Sequence, residues 1–122
     1  MNIWIYDNEQ QLNESAAAII SSLIRTNPRA VLGLATGGTP VGIYERLVSD
    51  YARGMFSCRH VTTFNLDEYV GLPADHAQSY MTYMQEHLFR HVDLPADQAH
   101  IPNGNAADPE AECRAYDARI EQ

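Results

Sequence analysis

The sequence contains few basic residues, few cysteines and no long hydrophobic run, and each of these scarcities excludes a class of protein. Lysine and arginine number 8 against 16 acidic residues, which gives a formal net charge of −8. Such a chain has no basic surface to attract nucleic acid or an anionic membrane. The longest uninterrupted apolar stretch, residues 16–20, is far shorter than the roughly 20 residues that cross a bilayer. We therefore expect neither nucleic acid nor a membrane as a partner.

Cysteine and metal-ligand motifs are also scarce. The two cysteines, Cys58 and Cys113, lack a CxxC spacing, which favours free thiols over a disulfide. His87 and His91 lie four residues apart on a predicted helix, where a metal pair is possible but solvated side chains are favoured. The first ten residues contain neither the basic segment nor the apolar core of a signal peptide. These features predict a cytoplasmic protein without a metal site.

What is present is the composition of one globular domain. The 122 residues are 45% hydrophobic and 20% charged, and a chain of this length buries about two-thirds of its unfolded surface on folding. No internal repeat, low-complexity tract or linker interrupts it. We predict a single domain over residues 1–122.

Strand and helix signals alternate along this domain. Apolar and β-branched runs predict strands at 2–6, 30–34, 60–66 and 99–101. Capping residues before a helical pattern predict helix starts at Asp7 or Asn8, at Thr39-Pro40, at Ser79 and at Asp108-Pro109. This alternation is typical of an α/β fold with an open, mainly parallel sheet and helices on both faces, Rossmann-like in the broad sense.

A glycine-rich turn, GLATGGTP, lies between a predicted buried strand and a predicted helix. Backbone N–H groups at such a position lack intrahelical partners, and glycine lets an anion approach them. Thr36 and Thr39 add hydroxyl donors beside Gly37 and Gly38. The turn has no GxGxxG motif, and Thr39 stands where a Walker A motif has lysine, which disfavours an NTPase. The pattern indicates a phosphate or carboxylate site, and a purely structural glycine turn is the alternative.

Asp67 and Glu68 follow the predicted strand at 60–66. Ligands of open parallel sheets bind outside the carboxyl ends of the strands, so we expect both carboxylates to face the crevice lined by residues 36–39. A carboxylate that is partly desolvated beside a second one suits proton abstraction next to a carbonyl. Together, the two features suit a substrate with a phosphate at one end and an acidic proton or an amine at the other. Capping of the following loop, or cation binding, is the alternative for either carboxylate.

Four segments, in this order, resemble the glucosamine-6-phosphate deaminase family across nearly all of the chain. They are LGLATGGTPVGIYERL, VTTFNLDEYVGL, HAQSY and NGNAADPEAEC. The resemblance implies a sugar-phosphate aldose–ketose isomerase that releases ammonia and converts glucosamine 6-phosphate into fructose 6-phosphate, with no metal or organic cofactor. It implies that Thr36, Gly37, Gly38 and Thr39 bind the substrate phosphate. It also implies that Asp67 is the base that moves a proton between C2 and C1.

The resemblance covers the N-terminal half of the family's pattern. Members continue with a GHIxFNE-type motif that supplies the ring-opening histidine, and with basic residues that help to hold the phosphate. This sequence contains neither. We therefore expect this chain to be a portion of a longer domain and to be inactive alone. We also expect Glu68 to contact the substrate, and a homo-oligomer is possible.

Two other functions stay open from the sequence. The 6-phosphogluconolactonases share the implied fold and the acidic strand end, but they usually carry arginine after the Asp-Glu pair, where this chain has Tyr69. A sugar-phosphate effector domain of a transcription regulator would need the phosphate turn but no base, and the presence of Asp67 disfavours it. Ammonia release from glucosamine 6-phosphate would separate the three functions.

Overall fold

Four α-helices and three strands alternate in the computed structural model, which describes residues 1–122. The helices are α1 (Glu9–Thr26), α2 (Val41–Ala52), α3 (Tyr80–His87) and α4 (Pro109–Ile120). The strands are β1 (Val31–Leu34), β2 (Thr62–Asn65) and β3 (Ala99–His100). Single 3-10 turns cover Phe89–His91 and Ala96–Gln98. The α/β fold predicted from the sequence is confirmed.

The three strands form one parallel sheet in the order β1-β2-β3. The register pairs Leu34 with Asn65 and Phe64 with His100, so the carboxyl ends of the strands lie at one edge. Adjacent strands are about 4.8 Å apart. The loops that leave β1 and β2 therefore start close together.

Helices cover both faces of this sheet, as predicted. One face carries the main hydrophobic cluster, which joins β1 to the first three helices through Leu34, Ala17, Ile24, Tyr44, Leu47 and Met84. Side chains alternate between the faces along a strand, so Phe64 lies on the other face. There it stacks on His100, with ring centroids 4.7 Å apart, and meets Tyr116 of α4 edge-on at 5.9 Å.

Three of the four predicted helix starts are confirmed. The side chains of Asn8, Ser79 and Asp108 each accept a backbone N–H two or three residues downstream, at 2.9 to 3.1 Å. The prediction for α2 was wrong, because Pro40 rather than Thr39 precedes the helix and no side chain caps it. Pro40 already has helical dihedral angles, with φ −81° and ψ −5°, so Thr39 lies one residue too early to act as the cap.

The predicted strand at residues 2–6 is not formed. Ile3, Trp4 and Ile5 are 73%, 62% and 91% exposed, and the sheet contains no strand from this segment. Preference for the β conformation depends mainly on packing against paired neighbours rather than on the residue alone. An apolar sequence is therefore not enough where no neighbouring strand pairs with it. The other three predicted strands are present but shorter.

The two cysteines and the histidine pair discussed above have ordinary surroundings. Cys58 and Cys113 are free, the first buried and the second exposed. The His87 ring lies against Tyr83, with centroids 4.4 Å apart, and His91 Nε2 lies 2.7 Å from a backbone carbonyl oxygen. None of the helices combines the length and the hydropathy of a membrane span.

Candidate active site at the carboxyl edge of the sheet

The turn between β1 and α2 is built around Gly37, whose φ of +96° favours glycine. Gly37, Gly38 and Thr39 are exposed, and their N–H groups donate to no backbone acceptor. A Cβ added at Gly38 would meet no atom within 4 Å, so the space beside the turn is open. Because α2 starts here without a side-chain cap, the turn presents free donors at the positive end of a helix dipole. Thr36 lies half-buried at its start.

Two tyrosine hydroxyls hold this turn from the helices beneath it. Tyr44 of α2 donates to the Ala35 carbonyl at 2.5 Å, and Tyr83 of α3 donates to the Gly37 carbonyl at 2.6 Å. The two rings meet edge-on, with centroids 6.5 Å apart. Burial raises the pKa of Tyr44 to about 12 and also raises the pKa of Tyr83. Both hydroxyls therefore stay protonated and act as donors at neutral pH.

A cleft of about 680 Å³ opens beside the turn. Gly38 and Thr39 form one wall, and Tyr6 with the first residues of α1 lines the rest. None of the 8 basic residues of the chain lines this cleft. Backbone N–H groups, hydroxyls and the side-chain amides of Asn8 and Asn13 are therefore the donors that line it.

Asp67 follows the end of β2 and does not line this cleft. Asn65, the last residue of β2, donates through Nδ2 to the Leu34 carbonyl at 3.1 Å, and this bond ties the ends of β1 and β2 together. The structure thus brings Asp67 and the turn to the same edge of the sheet. The expected partial desolvation is not observed, because Asp67 is exposed. Its carboxylate takes part in none of the ion pairs and is accessible to a ligand.

Glu68 binds the start of α3. Its Oε1 lies 2.9 Å from the backbone nitrogens of Tyr69 and Tyr80, and its Oε2 lies 3.0 Å from that of Met81. All three N–H groups donate to the carboxylate, which the positive end of the helix dipole stabilises. Glu68 therefore has the capping role that the sequence left open for one of the two carboxylates. The predicted contact between Glu68 and substrate stays a prediction.

The turn at residues 103–105 braces the loop that follows Asp67. The N–H of Gly71 donates to the Gly104 carbonyl at 2.9 Å. A Cβ at Gly104 would lie 2.0 Å from the Tyr69 carbonyl oxygen, so glycine alone fits this contact. Nothing in the local sequence shows which loop this turn contacts.

A third tyrosine, Tyr116 of α4, forms hydrogen bonds at this edge of the sheet. The Tyr116 hydroxyl lies 2.6 Å from the Asn65 carbonyl oxygen and 3.0 Å from that of His100, so α4 holds the ends of β2 and β3. Burial raises the pKa of Tyr116 to about 12. Sequence reasoning missed these contacts. The available signal was that a tyrosine on a buried helix face needs an acceptor for its hydroxyl.

Comparison with known proteins identifies relatives of this chain. Residues 7–122 match the protein family described as glucosamine-6-phosphate isomerases/6-phosphogluconolactonase. The glucosamine-6-phosphate deaminase of Bacillus pumilus is 50% identical over 121 residues, which are 99% of this chain and 50% of that protein. Glucosamine-6-phosphate deaminase 2 of Bacillus subtilis is 48% identical over 122 residues, 100% of this chain and 49% of that protein. The chain spans about half the length of the curated relatives it matches.

Solved structures show the same relationship. A monomeric glucosamine-6-phosphate deaminase superposes with a TM-score of 0.96 at 43% identity, covering 99% of this chain and 50% of that chain. The 6-phosphogluconolactonase of Thermotoga maritima superposes with a TM-score of 0.75 at 21% identity, covering 98% of this chain and 52% of that chain. The second likeness shows the fold alone. By its match over residues 7–122, this chain belongs to the family of glucosamine-6-phosphate isomerases and 6-phosphogluconolactonases.

Proposed function

We propose that this chain supplies the phosphate-binding turn and the proton-transferring carboxylate of a glucosamine-6-phosphate deaminase. One observation carries the proposal. Two features follow the carboxyl ends of neighbouring parallel strands. They are the free N–H groups of residues 37–39 after β1 and the accessible carboxylate of Asp67 after β2. Curated relatives at 45% to 50% identity are glucosamine-6-phosphate deaminases, which supports this activity over the lactonase.

In this proposal the substrate phosphate binds at residues 37–39. Free N–H groups at a helix start, together with the helix dipole, favour a phosphate. The hydroxyls of Thr36 and Thr39 are further donors on the same turn. Because the chain carries a net charge of −8, its overall field does not attract the phosphate, and these local donors hold it.

Asp67 is the proposed base of the isomerisation. Open-chain glucosamine 6-phosphate has an aldehyde at C1 and an amine at C2. The Asp67 carboxylate takes the C2 proton, and O1 takes a proton from solvent, which gives the enol across C1 and C2. The Asp67 carboxylic acid then returns its proton to C1. The product is a protonated imine at C2. Water adds to this imine and ammonia leaves, which yields fructose 6-phosphate, so the overall reaction includes a hydrolysis.

Glu68 supports the site by fixing the loop that follows Asp67 to α3. The ring-opening histidine motif that the family resemblance implies is absent from these residues. We therefore propose that the chain works as part of a longer cytoplasmic domain and releases no ammonia alone. Strand β1 lies at one edge of the sheet and pairs only with β2, which supports pairing with further chain or with another copy in a homo-oligomer.

A chimera tests this function. The segment of the Bacillus pumilus deaminase that matches this chain is replaced by residues 1–122, and ammonia release from glucosamine 6-phosphate is measured. Asp67→Asn keeps the size of the side chain but cannot accept the proton, so we expect kcat to fall by about two to four orders of magnitude with little change in KM. Asp75→Asn is the matched control, because Asp75 is exposed on the same loop.

The outcomes are separable. Ammonia release that depends on Asp67 and not on Asp75 supports the proposal. Near-unchanged turnover in Asp67→Asn removes the base assignment. A chimera that hydrolyses 6-phosphogluconolactone and releases no ammonia contradicts the deaminase and favours the lactonase.

A further inference from the structure

Helix α3 contacts both parts of the proposed site. At its start, the N–H groups of Tyr80 and Met81 are held by Glu68 at 2.9 and 3.0 Å, and Glu68 is the neighbour of Asp67 in the sequence. One turn further along, the Tyr83 hydroxyl donates to the Gly37 carbonyl at 2.6 Å. With a rise of about 1.5 Å per residue, these two anchor points lie about 4.5 Å apart along one rigid element. The helix therefore fixes the position of the turn relative to the loop.

The bond from Tyr83 also decides which way a donor points. Gly37 C=O and Gly38 N–H belong to one trans peptide unit, in which the two groups point in opposite directions. Tyr83 draws the carbonyl towards α3, so the N–H of Gly38 is directed away from α3. A Cβ at Gly38 meets no atom within 4 Å, which shows that there is room for a ligand beside this residue.

The ring of Tyr83 is held independently of its hydroxyl. It lies against His87, with centroids 4.4 Å apart, and meets Tyr44 edge-on at 6.5 Å. A phenylalanine at this position keeps both ring contacts. Tyr83→Phe therefore removes the hydrogen bond to Gly37 and little else.

We propose that Tyr83 is a positioning residue, which orients the Gly38 N–H towards a bound phosphomonoester and couples the turn to the loop of Asp67 through α3. This inference rests on the phosphate site of the proposed function. Its ligand class is a sugar phosphate whose phosphate contacts the turn.

The test uses the chimera described above, labelled with ¹⁵N and titrated with fructose 6-phosphate, with fructose as the ligand that lacks the phosphate. We expect the amide resonances of residues 37–39 to shift with fructose 6-phosphate and not with fructose. Tyr83→Phe should raise the dissociation constant about fivefold, the worth of one hydrogen bond, and should move the Gly38 amide resonance before ligand is added. Tyr51→Phe is the matched control, because Tyr51 packs on Phe56 at 6.0 Å and lies on α2 away from the turn.

A second measurement is kinetic. In the same chimera, Tyr83→Phe should raise KM for glucosamine 6-phosphate several-fold more than it lowers kcat. If the chimera without this substitution shows no phosphate-dependent shift at residues 37–39, the phosphate assignment fails, and the positioning role fails with it. If it does bind there and Tyr83→Phe binds as tightly as Tyr51→Phe, the phosphate assignment stands and the positioning role is overturned.

Discussion

Replacing Gly104 by alanine should displace the loop that carries Asp67. The added Cβ would lie 2.0 Å from the Tyr69 carbonyl oxygen and 3.1 Å from Cγ of Glu68. The first of these atoms is backbone and cannot rotate away. The hydrogen bond from the Gly71 N–H to the Gly104 carbonyl, 2.9 Å long, joins the same two segments and would lengthen as they separate.

The size of the effect follows from this geometry. An ordinary contact begins at 3.4 Å, so the two segments must separate by about 1.4 Å, the difference from 2.0 Å. Overpacking of this kind costs about 1–3 kcal/mol, and the weakened hydrogen bond adds about 1 kcal/mol. For a protein of the chimera's size, each kcal/mol lowers the melting temperature by about 2–4 °C, so we expect a fall of about 4–16 °C. A displacement of about 1 Å at a catalytic group costs roughly 100-fold in rate, so kcat should fall by about that factor.

Thermal melting and ammonia release of the chimera measure both quantities. Gly33→Ala is the matched control, because a Cβ at Gly33 meets no atom within 4 Å. The melting temperature of this variant should stay the same or rise slightly. The bracing role is refuted if Gly104→Ala melts within about 2 °C of the parent and keeps its kcat within about twofold.

Two further predictions concern groups outside the site. Burial alone would raise the pKa of Asp93, but hydrogen bonds from the Ser57 hydroxyl and the Cys58 N–H, with the nearby Arg59, lower it below 3.8. The folded state is therefore favoured by this carboxylate above pH 3.8 and loses that contribution as the pH falls through the folded pKa. Asp93→Asn should melt earlier than the parent at pH 7 and approach it in acid, whereas a gap independent of pH would contradict the assignment. Burial, with Asp93 as a smaller cause, raises the pKa of Cys58 to about 12. Iodoacetamide should therefore alkylate the exposed Cys113 first, which mass spectrometry of the folded chain can show. Equal labelling of the two cysteines would place Cys58 outside the core.

Features set by neighbours in the sequence could be predicted without the structure. The caps at Asn8, Ser79 and Asp108 depend on a side chain and an N–H two or three residues away, so the local pattern is sufficient. The prediction for Thr39 failed because Pro40 adopts helical angles at the cap position. The prediction for residues 2–6 failed for a different reason, since a strand needs a partner that local sequence does not supply.

The sequence by itself determined that a glycine turn and a carboxylate would follow neighbouring parallel strands, because strand order and chain direction bring Thr36 and Asp67 to one edge. Only the tertiary structure decided how they are held there. Tyr83 reaches Gly37 across 46 residues, and Tyr116 reaches Asn65 across 51 residues. Contacts of this range depend on how the helices pack on the sheet, and packing is specified by the whole core rather than by any short pattern.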